Sequence, residues 1–418
     1  MHWNRTTSSD PTETRCLSSS TQPNNLNLTM DIQLLEKVSA CALNRLLGYK
    51  PVAAHQILES LGNCRDFFFL PQKEREQLLG NLGCRNITVP EPTLEDAANE
   101  LERLQAQGCG FIHSGQECYP RLLRECSDAP IGLYFKSRTP PDELFNRFRN
   151  ISIVGTRDIS PYGKEWCQRI VCDIAGASER CCIVSGLAFG VDITAHTSAL
   201  ESGLGTIAVL PTGIDSIYPT YHSRAAARIS STENCALITD FPPGTSPQAF
   251  TFLRRNRIIA GLSSDTILVE SKKSGGGMLT AKLAFGYGRN VFCLPGRIDD
   301  PRSEGCNLLV ADKIAEPIAS LQKMREELGM SARRANGKKE TVLQIMSYYE
   351  KTLPQQTILL MGKIYDIIRL TRGISLEDIA HRTGLQYKQL TPIIQRMESD
   401  GFLSSDVLGR CTINAKNL

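Results

Sequence analysis

The sequence predicts an α/β protein: a parallel sheet covered by helices on both faces, followed by a small helical module with a wing. Three observations predict it. Six apolar runs, ISIV (151–154), CIVSG (182–186), TIAVL (206–210), ALITD (236–240), TILVE (266–270) and VFCLP (291–295), are continuous and rich in β-branched residues, as strands buried on both faces are. Helical segments (YGKEWCQRIVCDIAG, ITAHTSALESG, YHSRAAARIS, RRNRIIAGLS, MLTAKLAFGYG) fall between consecutive runs, the order that builds a parallel sheet. Glycines and polar residues gather just after the runs, at the edge where such sheets bind ligands.

The remaining elements follow in chain order. Residues 1–30 are Ser/Thr/Asn-rich, carry no apolar signal-peptide core, and read as a disordered tail. Met30 directly precedes the first amphipathic segment and is the expected native start. Residues 31–140 read as a helical domain. LLEKVSACALNRLL stops at Gly48, VAAHQILESL stops at Gly62, and LEDAANELERLQAQG adds a third helix. The hairpin turns carry few cations, which favours a structural role for them. FIHSGQECYPRLLRECSDAPIGLYFK then ends strand-like near Phe135, and Pro140-Pro141 mark a boundary before the sheet domain at 141–325. A polar, basic stretch (SARRANGKKE) sits in an expected linker, 326–354. In 355–418, TILLMGKIYDIIRL, SLEDIAHRTG (N-cap Ser375) and QYKQLTPIIQRMESDG read as three helices, with FLSS and RCTIN as the wing of a winged helix-turn-helix. Its third helix offers only Lys388 and Arg396 as cations, which favours a protein contact over DNA reading.

Composition narrows the function classes. A chain of 418 residues, 41% hydrophobic and 22% charged, has ample core for two or three domains. A net charge of +3 requires any nucleic-acid surface to be a local patch. No run reaches the ~18 apolar residues of a membrane span. The fifteen cysteines form no CxxC pair or Cys/His cluster, so they read as reduced thiols of a cytoplasmic protein, with neither metal nor disulfide framework.

The stretch CIVSGLAFGVDITAH (182–196) combines a strand, a turn carrying Ser185, Gly186 and Gly190, and a helix start, which reads as an anion site. Gly155-Thr156-Arg157, Thr212-Gly213, Phe241 to Gly244, Lys273-Ser274-Gly275-Gly276-Gly277 and Pro295-Gly296 would share its edge. Neither GxGxxG with a following acid nor GxxxxGK[ST] occurs, so a dinucleotide enzyme or NTPase lacks support. FLRRNRIIAG places Arg254, Arg255 and Arg257 beside Asn256. On the first turn of a helix three cations oppose the dipole, which points to an anionic partner. Arg157 and Lys272-Lys273 would line the same edge, and Phe241, Tyr218, Phe250 and Phe252 are candidate stacking platforms for unpaired bases. Asp192 and His196 share a helix face but have no nucleophile or metal partner; cap and structural histidine are the readings preferred.

Together IVGTRDISPYG (153–163), VSGLAFGVDITAH (184–196), TIAVLPTGIDSIYP (206–219), FPPGTSPQAFTFLRRNRIIAGLS (241–263) and VESKKSGGGMLTAKLAFGYGRNVFCLPG (269–296) closely resemble the DNA-processing protein A (DprA, or Smf) family. The resemblance implies an extended Rossmann-like sheet, with a helix-hairpin (SAM-like) N-terminal domain and a winged-helix appendage. It implies a homodimer that binds single-stranded DNA in a basic pocket, protects incoming strands in natural transformation and loads a RecA-type recombinase. Carried over by motif, Arg157, Ser185, Gly186, Arg255, Asn256, Arg257, Lys273 and Ser274 are the pocket residues. Gly275 to Gly277 would admit phosphates to the helix behind them, and Arg224 stands for a further basic residue. Leu253 replaces the family's usual proline, and His222 its asparagine. No catalytic residue, cofactor or metal is implied. Two other readings stay open. One is a nucleotide phosphoribohydrolase, although SGGGMLTAK lacks the glutamate of that signature; the other is a winged-helix transcription regulator.

Overall fold

The computed structural model describes residues 32–91, 93–177, 180–330, 348–350, 352–371, 373–406 and 409–413. The expected tail with Met30 and most of the expected linker lie outside the described residues. By its internal contacts the chain divides into one unit of residues 1–115 with 130–132 and a second of residues 116–129 with 133–418.

The first unit contains α1 (Ile32–Leu47), α2 (Pro51–Leu61), α3 (Arg65–Phe69), α4 (Gln72–Asn81), α5 (Thr93–Ala106) and β1 (Cys109–His113). The apolar spacing of α1 buries Val38, Leu43 and Leu47. Gly62, at φ 78°, ends α2 in the left-handed conformation that favours glycine. The Glu36 carboxylate accepts the N–H groups of Cys64 and Arg65 at the start of α3 (2.7 and 3.0 Å). An ion pair between exposed Arg45 and buried Glu100, at 2.7 Å, ties α1 to α5.

In the second unit the chain forms α6 (Arg121–Arg124), β2 (Gly132–Ser137), α7 (Pro141–Leu144), β3 (Arg149–Val154), α8 (Pro161–Ala177), β4 (Cys181–Ser185), α9 (Val191–Glu201), β5 (Gly205–Val209), α10 (Ser223–Ser231), β6 (Ala236–Thr239), α11 (Ala249–Leu262), β7 (Asp265–Leu268), α12 (Gly276–Gly286), β8 (Asn290–Cys293), α13 (Glu304–Ala311), β9 (Glu316–Pro317) and α14 (Leu321–Glu327). Its strands lie in the order β2-β6-β5-β4-β3-β7-β8-β9. The neighbours from β6 to β9 pair in parallel, and β2 joins the β6 edge antiparallel, Tyr134 opposite Thr239. The mostly parallel α/β architecture is thus the one expected.

Side-chain alternation along β3 shows how the two faces are covered. Ile151 and Ile153 pack with Cys167, Ile170 and Ile174 of α8 and with Ala195 of α9. Asn150 and Ser152 point the other way; the Ser152 hydroxyl donates to the Ile259 carbonyl of α11 at 2.7 Å. The chain order 3-4-5-6 grows outward on one side of β3 and 7-8-9 on the other. Strand order therefore reverses its sense of travel at β3, and a crevice opens there beyond the carboxyl ends.

The boundary expected at Pro140-Pro141 does not coincide with this division. Those prolines open α7 inside the second unit, because β2 is already part of the sheet. Residues 116–129 belong there too: Tyr287 and Arg289 bond to Asp128 and to the Leu122 carbonyl, both at 2.7 Å.

Farther on, helices Gln355–Leu370, Leu376–Thr383 and Tyr387–Ser399 enclose a core of their own with Ile364, Ile379, Leu390 and Met397. Ser375 caps the second helix by accepting the N–H of Asp378 at 3.1 Å. The strands Ile374–Ser375, Leu403–Ser405 and Arg410–Ile413 pair antiparallel around the last of them. No helix among the described residues is long and apolar enough to cross a membrane. No disulfide joins the described cysteines, and no cluster of three metal-ligating side chains occurs among the described residues.

Candidate nucleic-acid interface

The crevice at β3 holds a cavity of about 590 Å³, lined by loops after β3, β4 and β7 and by α11 and α12. Gly155, Thr156 and Arg157 leave β3; the Thr156 N–H donates to the Glu270 carbonyl (2.7 Å), locking the β3 and β7 ends together. Phe252, Arg255 and Asn256 come from α11, Lys272 and Gly275 from the β7 loop, and Gly276, Gly277 and Thr280 from α12.

Arg255 dominates the floor. It is 3% exposed, lies 4.0 Å from the Asp192 carboxylate, and its Nε has no hydrogen-bond partner. Its guanidinium passes over Gly186, where a β-carbon would collide with it. Burial pushes its pKa down to about 10, the neighbouring Asp192 works against that shift, and Arg157 adds to it. It therefore stays cationic at neutral pH. A buried guanidinium with an unpartnered Nε, beside a cavity, has the chemistry an oxyanion ligand calls for.

The other cavity walls follow from helix geometry. Asn256 donates to the Gly276 carbonyl at 3.4 Å, joining α11 to α12. The Gly276 position is open on its outer side, so a guest can approach the N-terminal end of α12. Arg157 is exposed and stands 4.8 Å over the Phe252 ring, a cation–π contact that aims it across the cavity. A smaller cavity of about 140 Å³ adjoins, lined by Arg157, Gly186, Ala188, Phe189, Tyr218, Pro219 and Phe252. There Tyr218 and Phe252 meet edge to face, with centroids 5.5 Å apart.

Of the residues singled out from the sequence, Gly155, Thr156, Arg157, Arg255, Asn256, Gly275 and Gly276 line the large cavity and Gly186 the small one. Asp192, Phe252, Lys272 and Gly277 line the large cavity as well, and Tyr218 and Phe252 the small one; the remaining site candidates line neither. Arg257 is buried, donating to the Asp240 carboxylate and the Asp128 carbonyl. The Arg254 Nε lies 3.5 Å from Asp240. Helix α11 begins at Ala249, so the arginines sit on its second turn and not at its dipole end. Residues three apart share a helix face, which turns Arg254 and Arg257 together toward Asp240 while Arg255 and Asn256 face the cavity.

Ser185 is buried at the end of β4 and donates to the Ile153 carbonyl at 2.6 Å. Lys273 and Ser274 are exposed on the turn before α12, and Lys272 takes the wall position instead. Arg224 is exposed on α10, away from the lining. Gly190 is the N-cap of α9 at φ 76°, packed so closely under Thr156 and Arg157 that no side chain fits.

The start of α9 is not the phosphate cradle its glycines suggest. The Asp192 carboxylate accepts the N–H groups of Gly186 (3.2 Å) and Ala188 (3.4 Å), and Val191 N–H donates to the Thr156 carbonyl at 3.1 Å. Burial raises the Asp192 carboxyl pKa, while Arg255 and those amides pull it down. Asp192 closes the turn before its helix without being the N-cap, which is Gly190. His196 is structural: its Nδ1 meets the Thr206 hydroxyl at 2.7 Å, and burial drives its pKa down to about 3. Phe241 is core. Sequence reasoning missed Phe189 and Thr280 as lining residues; the position of Phe189 between two glycine-bracketed motif residues was the available signal.

Sheet and crevice define a mostly parallel α/β protein with a cationic, aromatic-edged cavity at its topological switch point. A family model described as DNA recombination-mediator protein A matches residues 110–329, and the chain belongs to that family. The DNA processing protein DprA of Streptococcus pneumoniae is 35% identical over 246 residues, 57% of this chain and 83% of that protein. Protein Smf of Escherichia coli is 35% identical over 244 residues, 58% of this chain and 63% of Smf, so the match spans less than two thirds of its length. The X-ray structure of the pneumococcal protein superposes with a TM-score of 0.55 at 29% identity, over 71% of this chain and 96% of that one.

Proposed function

We propose that this chain binds single-stranded DNA at the β3 crevice, without catalysing a reaction, and serves as a recombination mediator. The observation that carries the reading is Arg255: a buried, under-bonded cation facing a cavity that an aromatic slot adjoins. Phosphates would meet Arg255, Arg157, Lys272 and the open end of α12, while unpaired bases would stack beside Phe252 and Tyr218. Asp192, the acid nearest this floor, is engaged by two amides and a guanidinium, which suits it to holding the turn and not to moving protons. The family's description as a recombination mediator supports a recombination role; we infer a RecA-type recombinase as partner and protection of incoming strands as the context. We further infer a cytoplasmic homodimer, a helical N-terminal domain, and a winged helix at the C-terminal end, the last supported by its three helices and small antiparallel sheet.

The test is a salt titration of oligothymidylate against duplex of equal length, with Arg157→Ala and Arg255→Ala alongside. Wild type should prefer the single strand. Each variant should bind about ten- to a hundredfold more weakly, with the salt slope flattened by roughly 0.7 for each phosphate no longer held. Equal affinity for both oligonucleotides, or unchanged slopes, would overturn the reading.

A further inference from the structure

Two exposed aromatic side chains meet at the outer rim of the crevice. Tyr221 is 83% exposed and Phe189 is 44% exposed. Their ring centroids lie 6.0 Å apart at 40°. Phe189 comes from the loop after β4, Tyr221 from the short turn Thr220–His222 after β5. Nothing in the local chain requires these loops to meet, yet they are pinned. Buried His222 bonds through Nδ1 to the Leu187 carbonyl at 2.8 Å and packs edge-on against Phe189, 4.7 Å between centroids. A histidine thus fixes two solvent-facing rings in one place, which burial of apolar surface does not explain.

Location gives the pair a meaning. Phe189 is also a wall of the small cavity, which it lines together with Tyr218, Phe252 and Arg157. The aromatic surface therefore runs without a break from that cavity out to Tyr221. A cation-floored pocket holds a phosphate; a ring pair one step outward holds something flat, uncharged and attached to it. Unpaired bases joined by a phosphodiester chain have this alternation of anion and π-face, and a duplex does not present its base faces.

We propose that Phe189 and Tyr221 form an outer stacking position, which takes the base following the one stacked beside Tyr218 and Phe252. The inference rests on the single-strand reading above and extends it. Stacking releases no counterions, so these rings contribute affinity that salt does not erode.

The experiment measures binding of the full chain to oligothymidylate and to inorganic polyphosphate of matched charge, each across a salt series. Wild type, Phe189→Ala, Tyr221→Ala and Tyr221→Phe are compared. Loss of either ring should weaken oligothymidylate binding about tenfold with an unchanged salt slope. Polyphosphate binding should stay as in wild type, and Tyr221→Phe should retain full affinity, because the ring and not the hydroxyl is used. Wild type that fails to bind oligothymidylate would overturn the single-strand reading itself. Wild-type binding with both alanine variants unaffected would overturn the outer position alone. Parallel weakening for both ligands would show that the rings shape the cavity and do not stack on bases, and would also overturn it.

Discussion

Gly186→Ala leaves every charge of the cavity in place and removes only the space above one residue. The Gly186 backbone does not lie in the left-handed region, so alanine is acceptable to the chain itself. Its β-carbon, however, would overlap the Arg255 guanidinium. Non-bonded carbon contacts settle near ~3.5–4.0 Å, so the guanidinium must retreat by about 2 Å. Moving it from 4.0 Å to about 6 Å from Asp192 lowers their attraction by about 1.4 kcal/mol at an effective dielectric constant of ~20. The same retreat takes the guanidinium from a bound phosphate, a charge-assisted bond worth about 1.5–3 kcal/mol. Affinity for oligothymidylate should therefore fall about ten- to a hundredfold, the salt slope by roughly 0.7, and the urea stability by about 1–2 kcal/mol. The decisive assay is a double-mutant cycle by fluorescence anisotropy. In an Arg255→Ala background, Gly186→Ala should cost nothing further in binding, since the group it displaces is gone. Full additivity, or wild-type affinity in Gly186→Ala, would refute the placement of Arg255 as the anion receptor.

Other outcomes follow from neighbouring groups. Arg257→Ala strands the buried Asp240 carboxylate with less compensation, so urea unfolding should show a loss of about 3 kcal/mol, while the salt slope of DNA binding by the folded variant stays that of wild type. A flattened slope would place Arg257 on the strand after all. Buried His196 has its pKa lowered from 6.5 to about 3, so its contribution is fully present above pH 6.5 and is lost as pH falls toward 3. Between pH 7 and 5 the stability should drop by about 2 kcal/mol through this group, and His196→Gln should lose less over the same interval; equal pH dependence in chemical denaturation would contradict it.

Most of the sheet was legible because its signals are local. Each of the six apolar runs became a strand, since a continuous β-branched run has few other ways to bury both faces. The two-residue β9 and the short α13 and α14 are too brief to carry a periodic pattern. For the site, the glycine turns and Arg157 were readable because they directly follow strands, and strand ends converge by topology. The RRNR run was not fully readable. Which arginines reach the cavity depends on the rotation of α11, set by a start at Ala249 and by Asp240 on a different strand end. The α9 turn misled for a similar reason: the carboxylate that occupies its amides lies inside the same motif, and only geometry shows it turning back.

The far rim of the sheet carries its own consequence. Strand β9 is two residues long and its second residue, Pro317, lacks an N–H, so a neighbouring polypeptide finds almost no ladder to lengthen there. Self-association along that rim by strand addition is blocked at its first rung. Copies that meet on that side must do so through side chains, whose complementarity can limit the number of subunits, and not through open-ended backbone pairing that would grow into a fibre.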